Sequence, residues 1–210
     1  MSTELGKIEK LDVRQFGLRK LYVVPLLFAG SEAPQEYKEK LEKYWREVNE
    51  QIANQESKVG KIKRVYHETI SVGGEEGLKI IENINVLSYL IAKDKFDCGA
   101  SFEATEMAEL ADECMDWERC LLMGFFSQKA AEKVAGFYQQ AATKRFEYIG
   151  QRIDETLQKN ETAVLFIREG HLVRFASDIE VFNVAPPALD DIHRWLRDHS
   201  KSEEKDLPES

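Results

Sequence analysis

Apolar residues along this chain fall into a few short dense runs, separated by long stretches in which they recur every three or four positions. Leu21 to Phe28 is apolar on both faces, as a buried strand requires, and Pro25 within it cannot donate to a sheet ladder, so it implies a bulge or an edge. Ser31 and Pro34 then open a helix whose stripe is Tyr37, Leu41, Tyr44, Val48 and Ile52, ended by Gly60. Lys61 to Val72 predicts a second strand, with Ile62, Tyr66, Ile70 and Val72 on one face and Val65, His67 and Thr69 on the other. Gly73-Gly74 turns the chain into a helix carrying Leu78, Ile81 and Ile84. Glu75 and Glu76 in its first turn complement the helix dipole and would repel a phosphate.

From Val86 to Leu122 the spacing is helical, with one break at Asp97–Ala100. Met107, Leu110, Cys114, Trp117 and Leu121 follow a heptad-like rhythm that predicts packing along a neighbour. Glu103, Glu106, Glu109, Asp112, Glu113 and Asp116 make a solvated acidic face. Ser127 caps a longer helix reaching about Lys159, its stripe running from Val134 through Tyr138, Ala142, Phe146 and Ile149 to Leu157. Lys144, Arg145, Glu147 and Arg152 alternate in sign and read as its water-facing side, while Gly136 and Gly150 suit close packing. Ala163 to Ile167 is uniformly apolar, the mark of a central strand, and Ile179 to Val184 is the last strand. A helix follows from Pro187, with Asp190 and Asp191 at its start and Arg194, Arg197 and His199 at its end.

This order predicts an α/β fold with a mostly parallel sheet of about four strands (21–28, 62–71, 163–168 and 179–184) and a helical layer or lobe over residues 86–160. Residues 21–199 form one domain, preceded by a loosely held arm (1–20) and followed by a polar, disordered tail (200–210). The link between the last two strands is short for a right-handed crossover, which leaves an antiparallel pairing open.

Composition narrows the partners. A net charge of −9 argues against the phosphate backbone of a nucleic acid. The longest apolar run, Leu21–Ala29, is far too short to span a bilayer, so no membrane partner is expected. The three cysteines lack Cys-x-x-Cys spacing and the amino terminus lacks the build of a signal peptide, both of which favour a reducing, cytoplasmic setting. Tyr44 and Trp45 give the first long helix more aromatic surface than a lone helix needs, from which a homodimer is expected.

Candidate chemistry lies where ligands collect in open α/β sheets, beyond the carboxyl ends of the strands. His171, with Glu169, follows the most apolar strand, and His67-Glu68 lies near the end of the second. Were these strands parallel neighbours, His67, Glu68 and His171 could hold zinc or manganese with an open position for water, and Glu169 with His171 could serve catalysis. No Gly-x-Ser-x-Gly occurs, and Cys114 and Cys120 sit in apolar helical surroundings. Without a strong catalytic motif, a non-catalytic module binding a small molecule or a protein, without cofactor, is the first reading; a metal-dependent hydrolase is the alternative.

The segments Val72-Gly-Gly-Glu-Glu-Gly77, Met115-Asp-Trp-Glu-Arg-Cys120, Leu165-Phe-Ile-Arg-Glu-Gly-His171 and Ala185-Pro-Pro-Ala-Leu189 resemble a bacterial family of cytosolic proteins to which no activity is attached. Arg145 to Val173, a helix followed by a strand ending in Gly-His, is similar to the carboxyl-terminal Gly-His segment of TraB and erythromycin-esterase-like proteins. That resemblance implies the hydrolase. At the early strand, where that group has Gly-x-x-His, this chain has Arg64-Val-Tyr-His67.

Overall fold

The computed structural model describes residues 18–205. It is an α/β fold in which β1 (Arg19–Pro25), β2 (Ile62–His67), β3 (Ser101–Phe102), β4 (Thr162–Ile167) and β5 (Ile179–Asn183) form one sheet of order β3-β2-β4-β1-β5, every pairing parallel. Among the described residues six helices accompany it: α1 (Gln35–Val59), α2 (Gly74–Ile84), α3 (Val86–Asp97), α4 (Ala108–Leu122), α5 (Gln128–Thr156) and α6 (Pro187–Lys205). The four expected strands therefore share a sheet. Arg19 and Lys20 belong to β1 rather than to an arm, and α6 continues past Ser200 to Lys205. The rest of the expected arm (1–17) and tail (206–210) lies outside the described residues.

β4 is central because all six of its residues are buried, its two faces feeding separate cores. Val164 and Phe166 join Tyr22 and Val24 of β1 in a core closed by Leu41, Tyr44, Trp45, Val48 and Ile52 of α1, with α2, α3 and α6 around them. Ala163, Leu165 and Ile167 join Leu21 and Val23 in the opposite core, closed by Phe146, Ile149 and Ile153 of α5. Alternation along β1 and β4 thus reads directly as two layers of helix on one sheet.

The structure settles one open alternative and corrects three further expectations. The short link from β4 to β5 does not make an antiparallel pair, because β1 lies between them and is parallel to both. Residues 168–178 form an irregular strap over the α5 face, with Val173, Phe175 and Ala176 in or against that core. The return is about 20 Å along the strands and about 10 Å across, well within the reach of that many extended residues. The break after α3 is wider than expected, holding β3 and a loop. In β2 the register shifts between Ile62 and Arg64, so Ile62 shares a core with Val65 while Tyr66 enters the other. A bulge of one residue inverts the expected alternation. Finally, Tyr44 and Trp45 are 0% and 3% exposed. Tyr44 Oη donates to Pro25 O (2.6 Å) and Trp45 Nε1 to Leu27 O (3.2 Å), so these aromatics fasten the segment after β1 and offer no surface to a second subunit.

The two glycines of α5 differ. A Cβ on Gly150 would lie 2.6 Å from the Arg174 carbonyl oxygen of the strap, whereas one on Gly136 would meet nothing within 4 Å. Gly150→Ala is expected to lower stability by about 1–3 kcal/mol through overpacking, and Gly136→Ala to raise it by about 0.5–1 kcal/mol by removing chain entropy from the unfolded state. Urea denaturation of both variants checks the pair.

Candidate functional site

β2 and β4 end side by side, and the polar residues that follow them define the site. Glu68 extends the ladder by one hydrogen bond, its N–H donating to Phe166 O (2.8 Å). Its side chain then turns toward α5. Glu68 is 1% exposed, which would be prohibitive for a lone carboxylate. Its oxygens accept from Arg145 Nη2 (2.9 Å), Arg168 Nε (2.5 Å) and the Arg168 backbone N–H (2.6 Å). Arg145 also donates to Glu106, from Nε (2.6 Å) and Nη2 (2.5 Å), and Glu106 further accepts from Thr69 N–H (2.6 Å). Burial pulls the Arg145 guanidinium toward neutrality, but its hydrogen bond to Glu106 and the charges of Glu106 and Glu68 outweigh that and hold it above its ordinary pKa. Arg168 follows the same logic, burial opposing and Glu68 prevailing. Two carboxylates and two guanidiniums thereby form a charge-balanced brace linking the end of β2, the start of α4, the middle of α5 and the strap.

The histidines separate. The His67 ring lies between sheet and α3, fully buried, 5.8 Å from the Phe166 ring. Nδ1 donates to the Glu68 carbonyl (2.7 Å), and Nε2 lies 3.1 Å from the Ser88 hydroxyl, which also reaches the Asn85 carbonyl (3.1 Å). Burial lowers its pKa to about 4 against the opposing pull of the Glu68 carbonyl and charge. Both ring nitrogens are engaged, so His67 is a core residue with a satisfied ring. His171 sits on the strap and lines a cavity of about 250 Å³ at the carboxyl ends of β1, β4 and β5, with Ile167, Asn183, Val184 and Leu189 among its walls. Its Nδ1 is buried without a hydrogen-bond partner, and burial lowers its pKa, so the ring is neutral near pH 7. Glu169 points to α6, accepting from His193 Nε2 (2.8 Å) at the cavity lip. On the other side of residues 168–170 a second cavity of about 540 Å³ lies under Tyr138, Ala142 and Leu172.

The structure therefore does not bring His67, Glu68 and His171 together as a metal shell. Among the described residues, no group of three or more His, Cys, Asp or Glu side chains is placed to hold a metal ion. It also revises two residues assigned to water. Arg145 is 2% and Glu106 3% exposed. The spacing held the signal for Arg145, which lies three residues after Ala142 and four before Ile149, on the buried stripe of α5. Glu106 precedes the first turn of α4 and carries no such periodic mark.

His67 makes stability depend on pH. Its folded pKa of about 4 lies below the ordinary value of 6.5, so below pH 6.5 the unfolded chain takes up a proton that the folded chain refuses. Stability from this group is complete above pH 6.5 and falls as pH drops through that window, by about 3 kcal/mol at its lower end. The double variant His67→Phe/Ser88→Ala removes both partners, leaving the Glu68 carbonyl its bond from Thr69 Oγ1. Chemical denaturation between pH 7 and 4 is expected to show that much of the acid slope gone in the variant.

Comparison of the chain with protein-family models, with curated proteins and with solved structures finds no match, so the reading of the site rests on its own geometry.

Proposed function

We propose that this protein is a non-catalytic binding module whose ligand seat is the cavity over His171. One observation carries the reading: His171, on the wall of a cavity shared with Val23, Ile167, Asn183, Val184 and Leu189, has a ring Nδ1 that is buried without a partner. Buried polar atoms are nearly always hydrogen-bonded, so this orphan, on a residue that lines a cavity, is the group a ligand would satisfy once the ring turns toward it. The neutral ring, and the pairing of nearby charges among themselves, favour a small uncharged ligand whose hydroxyl or amide meets Nδ1 while its apolar body fills the pocket.

Apart from His171, the ionisable candidates are engaged elsewhere. Glu68 neutralises two arginines, His67 is held at both nitrogens, and Glu169 is tied to His193. The alternative, a zinc- or manganese-dependent hydrolase around His67 and His171, requires one ring nitrogen of the buried His67 to give up its partner, Ser88 or the Glu68 carbonyl. Three free cysteines, Cys98, Cys114 and Cys120, support a reducing, cytoplasmic setting. No helix among the described residues is long and apolar enough to cross a membrane.

A fragment screen by two-dimensional amide NMR is expected to return small neutral hydroxyl- or amide-bearing hits. Their shifts should cluster on residues 168–171 and 183–189. His171→Phe, which keeps the ring volume and removes the nitrogen, is expected to weaken those hits about tenfold, the effect of one charge-free hydrogen bond to a buried acceptor. Hits that scatter over the surface, or that His171→Phe leaves untouched, contradict the reading.

A further inference from the structure

The end of the α4–α5 hairpin is built against the usual rule for turns. Connections between helices are ordinarily polar, yet here the turn reads Leu122-Met123-Gly124-Phe125-Phe126. Leu122, Met123 and Phe126 are 83%, 86% and 113% exposed, so these side chains meet nothing in the fold. Gly124, at φ 74°, makes the turn possible. α5 returns to β4 at its carboxyl end, so its amino-terminal half reaches the carboxyl edge of the sheet. No residue of α5 before Ala141 is buried, and residues 128–140 carry the tip about 20 Å outward.

Charge distinguishes this tip from the rest of the molecule. The chain as a whole carries −9, but residues 119–133 hold Arg119, Lys129 and Lys133 against Glu132 alone. Arg119 is paired with Asp116 (3.4 Å), and Glu132 accepts from Gln128. Lys129 and Lys133, one turn apart on α5, have no carboxylate partner. The apolar residues cluster end-on at the turn, while the first half of α5 exposes Gln128, Lys129, Glu132, Lys133, Gln139 and Gln140, its one exposed large hydrophobic, Phe137, lying against Trp117 of α4 (5.0 Å between ring centroids). A partner helix lying alongside would want an apolar stripe instead.

We propose that the hairpin tip docks on an anionic lipid surface, Leu122, Met123, Phe125 and Phe126 entering the headgroup–acyl boundary and Lys129 and Lys133 meeting acidic headgroups behind them. The tip does not span the bilayer. Shallow insertion of a few apolar side chains is marginal by itself, and adjacent cations supply the second attraction that makes such binding measurable. Of the acids nearest the tip on α4, Glu118 lies against Arg168 and Asp116 against Arg119, and the rest of the acidic molecule is carried away by the length of the hairpin. Docking would also orient the carboxyl edge of the sheet, with the cavities beside residues 168–172, toward the membrane.

Sedimentation of the full chain with vesicles tests this. Equal parts of phosphatidylcholine and phosphatidylglycerol are expected to bring the protein down, and phosphatidylcholine alone to bind at least about tenfold more weakly. Met123→Ser/Phe126→Ser and, separately, Lys129→Glu/Lys133→Glu are each expected to weaken binding to the anionic vesicles by at least about tenfold. These side chains are solvent-exposed, and an unchanged thermal melt would show that the fold persists. No binding to anionic vesicles overturns the proposal, as does binding that neither variant changes. A lipid-free dimer that Met123→Ser/Phe126→Ser converts to monomer, read by light scattering, would also overturn it by assigning the tip to a second copy.

Discussion

Glu68 carries a carboxylate that the fold has taken out of water and surrounded with donors from two separate elements: Arg145 from α5 and both the side chain and backbone of Arg168 at the start of the strap. Removing a carboxylate from water costs several kcal/mol, which only close, well-aligned partners can offset. Glu106 supplies the second negative charge that Arg145 would otherwise lack. Arg145 is shared between the two carboxylates and Glu68 between the two arginines, so withdrawing either shared member upsets the charge balance of a buried set. The brace holds together segments far apart in sequence, and through Arg168 it fixes where the strap leaves β4.

That position determines the candidate site. The strap begins at Arg168, carries Glu169 to its contact with α6 and places His171 in the cavity at the end of the sheet. Charge is thus consumed in holding the wall, and the cavity retains a neutral ring as its unpartnered polar group. The acids beside the cavity are spent on architecture, Glu68 on two arginines and Glu169 on His193.

Much of the sheet was legible because a strand buried on both faces must be apolar throughout, as β4 is, and because the stripe of α1 repeats over several turns. What escaped were features with no periodic mark. β3 is two residues long, and the bulge in β2 adds a single residue that reverses which core Tyr66 enters. Strand neighbours are set by three-dimensional packing, so nothing in the sequence revealed that β1 separates β4 from β5. In the site, position after a strand points to residues 67–68 and 169–171. It could not show that the His67 ring turns inward to Ser88 while Glu68 turns to α5. Arg145 was misjudged because sign alternation was weighed above its place on the apolar stripe.

Glu68 organises the strap and, with it, the cavity wall. Hydrogen–deuterium exchange at the Arg168 amide, which donates to Glu68 Oε2, reads this directly. In the wild-type protein that amide is expected to be protected to nearly the level of β4. In Glu68→Gln, with the β4 amides still protected, it should exchange far faster, together with residues 169–171. A strap that stays as protected in Glu68→Gln as in the wild type would contradict the account.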